Sequence, residues 1–315
     1  MRVVFMGTGE IGLPALLWLL DTHEVAAVVA QPDKPAGRRL EPRPPVTKQL
    51  AIARGVPVFQ PAKLRAPEAV AQLAAFAPEV IVVMAYGQIL PRAALEAPPL
   101  ACLNLHASIL PKHRGAAPIH AAIEAGDRRT GVTVMHMAEG LDTGDILLIR
   151  EIPIRRRETA GSLHHRLGIV AAQALADAMP LVAAGRAPRI PQDDAVATHA
   201  ARLTRENGTI DWSAPQIAID RRIRAMNPWP AAHTALSTPD GSRQLKIFSC
   251  IPQRRISGPP GEVLRADERG LLVGAGEGSV LLRDVQIEGK RRMSAAEFLR
   301  GHPVPIGTRL GSRPV

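Results

Sequence analysis

The sequence RVVFMGTGEIG, residues 2–12, joins an apolar run to a glycine-rich turn, and a second apolar run follows at residues 11–20. A short run of large apolar residues that ends at glycines is typical of a buried strand. A ten-residue apolar stretch after such a turn is typical of a helix. Strand, tight turn and helix in this order form the first half of a unit that connects parallel strands. The stretch therefore predicts an α/β fold.

The alternation of strand and helix continues to about residue 185. Further strands are predicted at residues 25–30, 57–59, 80–84, 101–105, 131–137 and 145–154. Further helices are predicted at residues 46–54, 67–76, 116–125 and 160–184. This order is typical of a mostly parallel sheet with helices on both faces, and it predicts a Rossmann-like domain over residues 1–188.

The remainder of the chain follows a different pattern. Residues 189–204 combine one proline with small and charged residues and have no sustained apolar period, which predicts an interdomain linker. One helix is predicted at 215–226, and short runs separated by Gly and Pro follow at 231–236, 244–251, 261–264, 270–273 and 279–287. Such runs predict that residues 205–315 form a small β-barrel similar to an OB fold.

The chain is strongly basic. Its 315 residues include 39 Lys and Arg against 29 Asp and Glu, a formal net charge of +10, and residues 205–315 carry 17 basic and 11 acidic residues. Basic groups occur at Arg221, Arg222 and Arg224 on one predicted helix and at residues 290–292. Such a surface attracts polyanions and indicates a nucleic-acid partner. A generally basic proteome is the alternative interpretation of the same charge.

Cysteine usage and hydropathy indicate the compartment. Cys102 and Cys250 lie far apart without metal-ligand spacing, so neither disulfides nor a metal site are expected. A signal peptide is rejected at residues 11–20, because Glu10 and glycines divide the apolar run and no small-residue cleavage site follows. No run reaches the roughly 18 apolar residues that span a bilayer. We expect a cytoplasmic monomer that does not engage a membrane.

A second stretch, NLHASILP at residues 104–111, carries candidate catalytic groups. Asn104 and His106 are two apart after an apolar run, so on a strand their side chains share one face. An amide can donate to a developing oxyanion, and a neutral imidazole can accept a proton. Asp142, in GLDTGD at 140–145, could hold the imidazole in position; Asp145 could accompany it or stabilise the turn. The set predicts acyl-type transfer.

The opening turn also satisfies G-x-G-x-x-G at Gly7, Gly9 and Gly12, with Asp33 further along the chain. By itself this pattern predicts a nicotinamide-dependent oxidoreductase. Glu10 would, however, place a carboxylate where the pyrophosphate should bind. A tight strand-to-helix turn is the alternative, and NAD is not expected.

A long loop at residues 31–45 holds four cations among five prolines and one glycine. The cations are Lys34, Arg38, Arg39 and Arg43. At the carboxyl edge of a sheet, such a loop would place fixed positive charges beside the active site, suited to phosphates. A solvated insertion without a partner is the alternative.

Several motifs together resemble the folate-dependent formyltransferases. They are NLHASILP at 104–111, RGAAPI at 114–119 and GLDTGD at 140–145. Further motifs resemble the members of that family that formylate methionyl initiator tRNA: QPDKPAGR at 31–38, AYG at 85–87, IDW at 210–212 and NPWP at 227–230. The resemblance spans nearly the whole chain.

The resemblance implies 10-formyltetrahydrofolate as the formyl donor and co-substrate, without a metal, and the α-amino group of methionine on initiator tRNA as the acceptor. It implies that Asn104, His106 and Asp142 are catalytic. It assigns folate binding to the turn and strand-end residues Ser108, Ile109, Leu110, Pro111, Met84, Ala85 and Tyr86. Lys34, Arg38, Arg39 and Arg43 would contact the tRNA.

Three other interpretations stay open on the sequence. A nicotinamide oxidoreductase would use the glycine pattern. A non-catalytic tRNA-binding protein would explain the charge but not the set of Asn104, His106 and Asp142. Formyltransferases that act on glycinamide ribonucleotide or on aminosugar nucleotides share the chemistry, so the second domain alone does not determine the acceptor.

Overall fold

The structure is a computed structural model that describes residues 1–36, 41–238 and 241–311. It divides into two compact units. Unit 1 comprises Met1–Pro118, Arg129–Pro153 and Leu163–Ala200, and unit 2 comprises Ile119–Arg128, Ile154–Ser162 and Ala201–Val315. The predicted linker at 189–204 therefore falls largely within unit 1. Its residues pair with that unit, as the bridge between Ile190 and Ile146 shows.

Unit 1 is built on a seven-stranded sheet with two short two-stranded pairs beside it. Its strands are β1 (Arg2–Gly7), β2 (Glu24–Val29), β3 (Lys34–Ala36), β4 (Glu41–Arg43), β5 (Val58–Phe59), β6 (Val80–Met84), β7 (Ala101–His106), β8 (Arg114–Gly115), β9 (Arg129–His136), β10 (Ile146–Pro153) and β11 (His199–Ala200). Its helices are α1 (Leu13–Thr22), α2 (Val46–Ala53), α3 (Pro67–Ala75) and α4 (Arg92–Leu95), with α5 (Pro118–Ala125) and α6 (Ala160–Ala183) reaching into unit 2.

The large sheet has the strand order β10-β9-β7-β6-β1-β2-β5. The five strands from β7 to β5 run parallel, whereas β9 is antiparallel to both β7 and β10. The antiparallel edge follows from the short connection between β9 and β10, because a parallel pair needs a long crossover. The predicted mostly parallel, Rossmann-like sheet is thus confirmed, with an antiparallel edge that the alternation of strand and helix did not reveal.

The opening glycine turn is explained by packing. A Cβ at Gly7 would lie 2.7 Å from the main-chain oxygen of Met84, and one at Gly12 would lie 3.0 Å from the Phe5 ring. The Thr47 hydroxyl donates to the Gly7 carbonyl at 2.7 Å. These contacts bring strand, turn and helix too close together for larger residues.

Helix α6 is the one helix of the described chain that is long and apolar enough to cross a membrane by length and composition. Half of its apolar window is buried inside the protein. The buried residues recur every three or four positions, among them Leu163, Leu167, Ala171 and Leu175, while Ile169 is exposed. This stripe is typical of a helix that covers a sheet.

Unit 2 contains an antiparallel sheet in the order β12-β13-β16-β15-β14, with β17 paired to β16. Its strands are β12 (Ala232–Thr238), β13 (Gly241–Gln253), β14 (Val263–Asp267), β15 (Gly270–Gly274), β16 (Ser279–Ile287) and β17 (Met293–Ser294). Helix α7 (Gln216–Ala225) packs on β13, and α8 (Ala295–Gly301) packs on β15 and β16. The β-rich second domain that the sequence predicts is therefore confirmed, as an antiparallel sheet with helices packed on it.

Candidate active site

Strand β7 carries two of the predicted catalytic side chains. Asn104 pairs with Val83 of β6 and Met135 of β9, and His106 lies two residues further at the carboxyl end of the strand. The period of two in a strand places both side chains on one face. His106 is buried and Asn104 is half-buried. The edge at which parallel strands end is where sheets of this kind build their sites.

The carboxylate of Asp142 brings this set together. Its Oδ1 accepts from Asn104 Nδ2 at 3.3 Å, and its Oδ2 accepts from the Gly115 N–H at 2.7 Å. The same Oδ2 lies 3.5 Å from His106 Nδ1. Asp142 is only 9% exposed and has a left-handed backbone, φ 54°. A buried carboxylate with several donors is a fixed negative charge, so the loop from β9 to β10 supplies the third member of the predicted set.

The imidazole of His106 has one nitrogen engaged on each side. Nε2 lies 2.9 Å from the main-chain oxygen of His113. Because a carbonyl oxygen only accepts, Nε2 carries a proton in this arrangement and donates it. Nδ1 then faces Asp142. A proton taken up by the ring would therefore enter between Nδ1 and the carboxylate.

A buried arginine and a glutamine fix the loop that bears Asp142. Gln192 Nε2 donates to the main-chain oxygens of Asp142, at 2.9 Å, and of Gly144, at 2.8 Å. Its Oε1 accepts from Arg114 Nε and Nη2, at 3.0 and 2.9 Å, and Arg114 also pairs with Asp194 at 2.7 Å. Sequence reasoning missed Gln192, since it lies in the predicted linker and no spacing connects it to Asp142.

The predicted folate-binding turn is held from within. Ser108 is fully buried and its hydroxyl donates to the Lys112 carbonyl at 2.6 Å. The Leu110 N–H donates to the Thr133 hydroxyl at 3.1 Å, and that hydroxyl donates to the Ser108 carbonyl at 2.7 Å. The Ser108 hydroxyl and the Leu110 N–H thus shape the turn. Ile109 and Pro111 are half-buried, and a cis peptide joins Leu110 to Pro111.

The other predicted folate residues end β6 and start the next loop. Met84 and Tyr86 are buried, and burial raises the pKa of the Tyr86 phenol to about 12. Ala85 is exposed and has a left-handed backbone, φ 51°. The main-chain oxygen of Ala85 accepts from the Thr8 N–H at 3.2 Å, and that of Tyr86 accepts from the Thr8 hydroxyl and the Gln31 amide, both at 3.2 Å. The Ile89 side chain is 78% exposed.

The basic loop forms a hairpin of β3 and β4. Lys34 and Arg43 are exposed and directly opposite in the register, whereas Arg38 and Arg39 lie outside the described residues. Like charges at opposite positions destabilise a strand pair unless an anion lies between them. At the base of the loop Asp33 accepts from Gln60 and Lys48, and these contacts hold its pKa below the ordinary value. Asp33, the dinucleotide candidate, is thus already engaged.

Asp145, the other acidic residue of the GLDTGD motif, and the neighbouring His136 are held by contacts within the protein. The main-chain oxygen of Asp145 accepts from the His136 N–H at 2.9 Å, and its carboxylate lies 3.8 Å from Arg189. His136 Nε2 lies 3.1 Å from the Pro188 oxygen, and burial lowers its pKa. Across the described residues, no group of three or more His, Cys, Asp and Glu side chains could hold a metal ion.

Comparison with known families covers both halves of the chain. The family model described as formyl transferase matches residues 1–179, and the one described as formyl transferase, C-terminal domain, matches residues 202–303. Two curated relatives are both named methionyl-tRNA formyltransferase. The protein of Methylacidiphilum infernorum is 46% identical over 99% of both chains. That of Symbiobacterium thermophilum is 47% identical over 98% of this chain and 95% of its own.

Solved structures share the fold at lower identity. WlaRD, a sugar 3N-formyltransferase crystallised with dTDP and 5-N-formyl-THF, has a TM-score of 0.65 and 16% identity, over 92% of this chain and 99% of that one. HypX of Aquifex aeolicus in complex with tetrahydrofolic acid has a TM-score of 0.62 and 18% identity over 95% of this chain. The chain spans about half the length of HypX, 47%.

Proposed function

The chain belongs to the formyl transferase family, and on that premise we propose that it transfers the formyl group of 10-formyltetrahydrofolate to the α-amino group of methionyl initiator tRNA. The family that the sequence motifs predict is confirmed by both family models and by relatives of nearly equal length. The observation that carries the reaction is the joint approach of Asn104 and His106 to the carboxylate of Asp142.

The proposed chemistry uses an oxyanion donor and a proton acceptor. The free amine attacks the formyl carbon, and the carbonyl oxygen becomes an oxyanion. The Asn104 amide has two N–H groups, of which one donates to Asp142, so the second can donate to this oxygen. The amine loses one proton during transfer, and the folate nitrogen that leaves gains one. His106, with Nδ1 facing Asp142, is positioned to take up and return that proton.

Asp142 has a positioning role in this proposal. It orients the Asn104 amide and the His106 ring, and its third contact, from the Gly115 N–H, fixes the carboxylate itself. The lone pairs that accept from Asn104 Nδ2 and the Gly115 N–H leave it less able to act as a base toward the substrate. We therefore assign the direct contacts with the reacting atoms to Asn104 and His106.

The residues around this set suit a folate. Leu141, next to Asp142, is 63% exposed, and Ile89, four residues after Ala85, is 78% exposed. Exposed apolar side chains beside polar catalytic groups are common in sites that bind flat ring systems. We assign the packing of the folate ring system to these exposed apolar side chains. Main-chain groups of two segments would recognise the polar edge of the rings. These segments are Met84, Ala85 and Tyr86 and the turn Ser108, Ile109, Leu110 and Pro111. HypX and WlaRD, which share the fold, have folates in their structures.

The acceptor is assigned from the relatives and from charge. Relatives at 43 to 47% identity over nearly the whole chain are named for methionyl-tRNA. Lys34 and Arg43 form a pair of exposed cations on the β3–β4 hairpin, suited to a phosphate. We propose that this hairpin contacts the tRNA, and that the protein works as a monomer in the cytoplasm.

The decisive experiment is formyl transfer with purified protein. Initiator methionyl-tRNA, elongator methionyl-tRNA and an aminosugar nucleotide are each incubated with 10-formyltetrahydrofolate, and formylated product is measured. We expect rapid transfer to the initiator tRNA and slow or no transfer to the other two. Formylation of the sugar nucleotide alone would assign the acceptor to another branch of the family. Absence of product with either tRNA would contradict the proposal.

A further inference from the structure

Strand β11 pairs in parallel with β8 beside the active site. The main-chain oxygen of Thr198, the residue before β11, accepts from the Arg114 N–H at 2.8 Å. The two strands approach closely, because a Cβ at Gly115 would lie 2.6 Å from the main-chain oxygen of Ala200. The end of the segment that the sequence predicts as a linker therefore packs against β8.

The backbone around β8 contacts two of the predicted catalytic side chains. The main-chain oxygen of His113 lies 2.9 Å from His106 Nε2, and the Gly115 N–H donates to Asp142 Oδ2 at 2.7 Å. The positions of the imidazole and of the carboxylate therefore depend on where this short stretch of backbone lies.

The backbone of His113 is left-handed, with φ 61°. This conformation is uncommon for a residue other than glycine, and it persists where surrounding contacts hold it. Thr198 supplies such contacts. Its hydroxyl oxygen accepts from the His113 N–H at 2.8 Å, and its own N–H donates to the main-chain oxygen of Pro111 at 3.3 Å. Together with the bond from Arg114, Thr198 thus holds the backbone before, at and after the residue whose carbonyl meets His106.

The side chain of Thr198 is exposed, so it adds little to the hydrophobic core. What it contributes is the oxygen that lies 2.8 Å from the His113 nitrogen. A methyl group in the place of this oxygen needs about 3.5 Å or more to a neighbouring heavy atom. Loss of the hydroxyl at this position would therefore remove an acceptor, and a methyl group would also displace the backbone of His113.

We propose that Thr198 is a positioning residue for His106 and acts through the main chain of His113. The hydroxyl fixes the His113 N–H, and the carbonyl of the same residue accepts from His106 Nε2. With a proton committed to Nε2, Nδ1 is the nitrogen that takes up a proton beside Asp142. The inference rests on the proposed function, since that function makes His106 the proton acceptor.

Three variants test this role. Thr198→Val replaces the acceptor by a methyl group, whereas Thr198→Ser keeps a hydroxyl at the same position. Thr22→Val is the matched control, because Thr22 is also exposed and its hydroxyl donates to the Trp18 oxygen at 2.6 Å, at the end of α1. Thermal unfolding verifies that each variant is folded, and the midpoints should lie within about 4 °C of the wild-type value.

Formyl transfer to initiator methionyl-tRNA is measured for all three variants. In Thr198→Val the kcat should fall roughly tenfold, because a displaced imidazole is misaligned with the reacting atoms. The KM for each substrate should stay close to the wild-type value, and Thr198→Ser and Thr22→Val should keep the wild-type kcat. A wild-type kcat in Thr198→Val, or an equal loss in Thr198→Ser, would overturn the proposal. A raised KM for the folate with unchanged kcat would place the Thr198 side chain in the folate site and would contradict it as well.

The His106 ring supplies a second readout that needs no turnover. In protein with isotope-labelled histidine, the proton on Nε2 is observed in proton–nitrogen correlation spectra, and its absence from His106→Gln identifies the resonance. A proton that is held in a hydrogen bond to a carbonyl is protected from exchange with water, so it should be visible in the wild type and in Thr198→Ser. It should broaden or disappear in Thr198→Val and stay unchanged in Thr22→Val. An unchanged resonance in Thr198→Val would show that the ring does not depend on this hydroxyl.

The two readouts separate this inference from the proposed function. If the wild-type protein formylates no tRNA, the proposed function fails, and the ring resonance still tests the connection between Thr198 and His106. If transfer occurs and neither kcat nor the resonance responds to Thr198→Val, the proposed function stands and the positioning role is wrong.

Discussion

Gln192 Nε2 donates a hydrogen bond of 2.9 Å to the main-chain carbonyl of Asp142. A side chain 50 residues further along the chain thus holds the loop that presents the central carboxylate of the site. The other end of the amide accepts from the buried guanidinium of Arg114. Gln192 is therefore a positioning residue that acts through Asp142.

Two substitutions of Gln192 separate its two roles. Gln192→Met removes the donors to the Asp142 loop and the acceptor of Arg114, whereas Gln192→Glu keeps the acceptor of Arg114 but turns a carboxylate oxygen toward the carbonyls of Asp142 and Gly144. We expect kcat to fall roughly tenfold in both, because a shift of the carboxylate misaligns Asn104 and His106. The Met variant should also lose about 1 to 3 kcal/mol of stability, since it leaves Arg114 with a buried donor unpaired. A wild-type kcat in both variants would show that the position of the Asp142 carboxylate does not depend on Gln192.

The oxyanion role of Asn104 predicts a loss in the chemical step. Asn104→Ala should lower the single-turnover rate by roughly 10² to 10³, or about 2.7 to 4 kcal/mol, as is typical when one such donor is removed. The KM for tRNA should stay close to the wild-type value, because the amide contacts the reacting carbonyl. Asn104→Asp, which keeps the shape but puts a carboxylate 3.3 Å from Asp142 Oδ1, should be at least as slow. A near-wild-type rate in either variant would refute the assignment.

Sequence reasoning placed Asn104 and His106 on one strand and on one face of it, for physical reasons that a single sequence contains. The apolar run before Asn104 marks a buried strand, and a period of two fixes which side chains share a face. The same reasoning could not connect Asp142 to Gln192 or to the Gly115 N–H, because these contacts arise from tertiary packing. It also treated residues 189–204 as a linker, although β11 pairs with β8 beside the site. Low hydrophobicity indicates a segment without regular structure, but it does not show whether that segment packs against a neighbouring domain.

The close packing of Gly144 predicts a steric effect on the same loop. A Cβ there would lie 1.7 Å from the His136 carbonyl oxygen, so Gly144→Ala must displace the backbone between β9 and β10. We expect a loss of stability of about 1 to 3 kcal/mol and at least a tenfold loss of kcat. Gly301→Ala is the matched control, because nothing lies within 4 Å of a Cβ at that position. Equal unfolding midpoints for the two variants would contradict the prediction.

The lowered pKa of His136 predicts how stability depends on pH. Burial is its main cause, so the folded protein keeps this ring neutral at a pH where the unfolded chain, with an ordinary pKa of about 6.5, already binds a proton. Its stabilising contribution is complete above about pH 6.5 and is lost as the pH falls from there through the folded pKa. The unfolding midpoint should therefore drop on acidification from pH 7.5 to 5.5. In the variant His136→Gln the unfolding midpoint should fall by less over the same pH range. An equal fall in the variant and the wild type would show that other titratable groups cause the pH dependence.

Cys102 lies two residues before Asn104 on β7. Its thiol is therefore a candidate nucleophile for an alternative, covalent mechanism. Burial raises its pKa to about 12, so the reactive thiolate is scarce at pH 8. Burial and the nearby Asp220 likewise raise the pKa of Cys250 well above its ordinary value.

A thiol reagent such as DTNB should therefore react with neither cysteine of the native protein within minutes at pH 8, and with both in guanidinium chloride. Cys102→Ser should retain formyl transfer. Rapid labelling of native Cys102 together with loss of formyl transfer would instead support a covalent mechanism. The direct mechanism through Asn104 and His106 does not require this thiol.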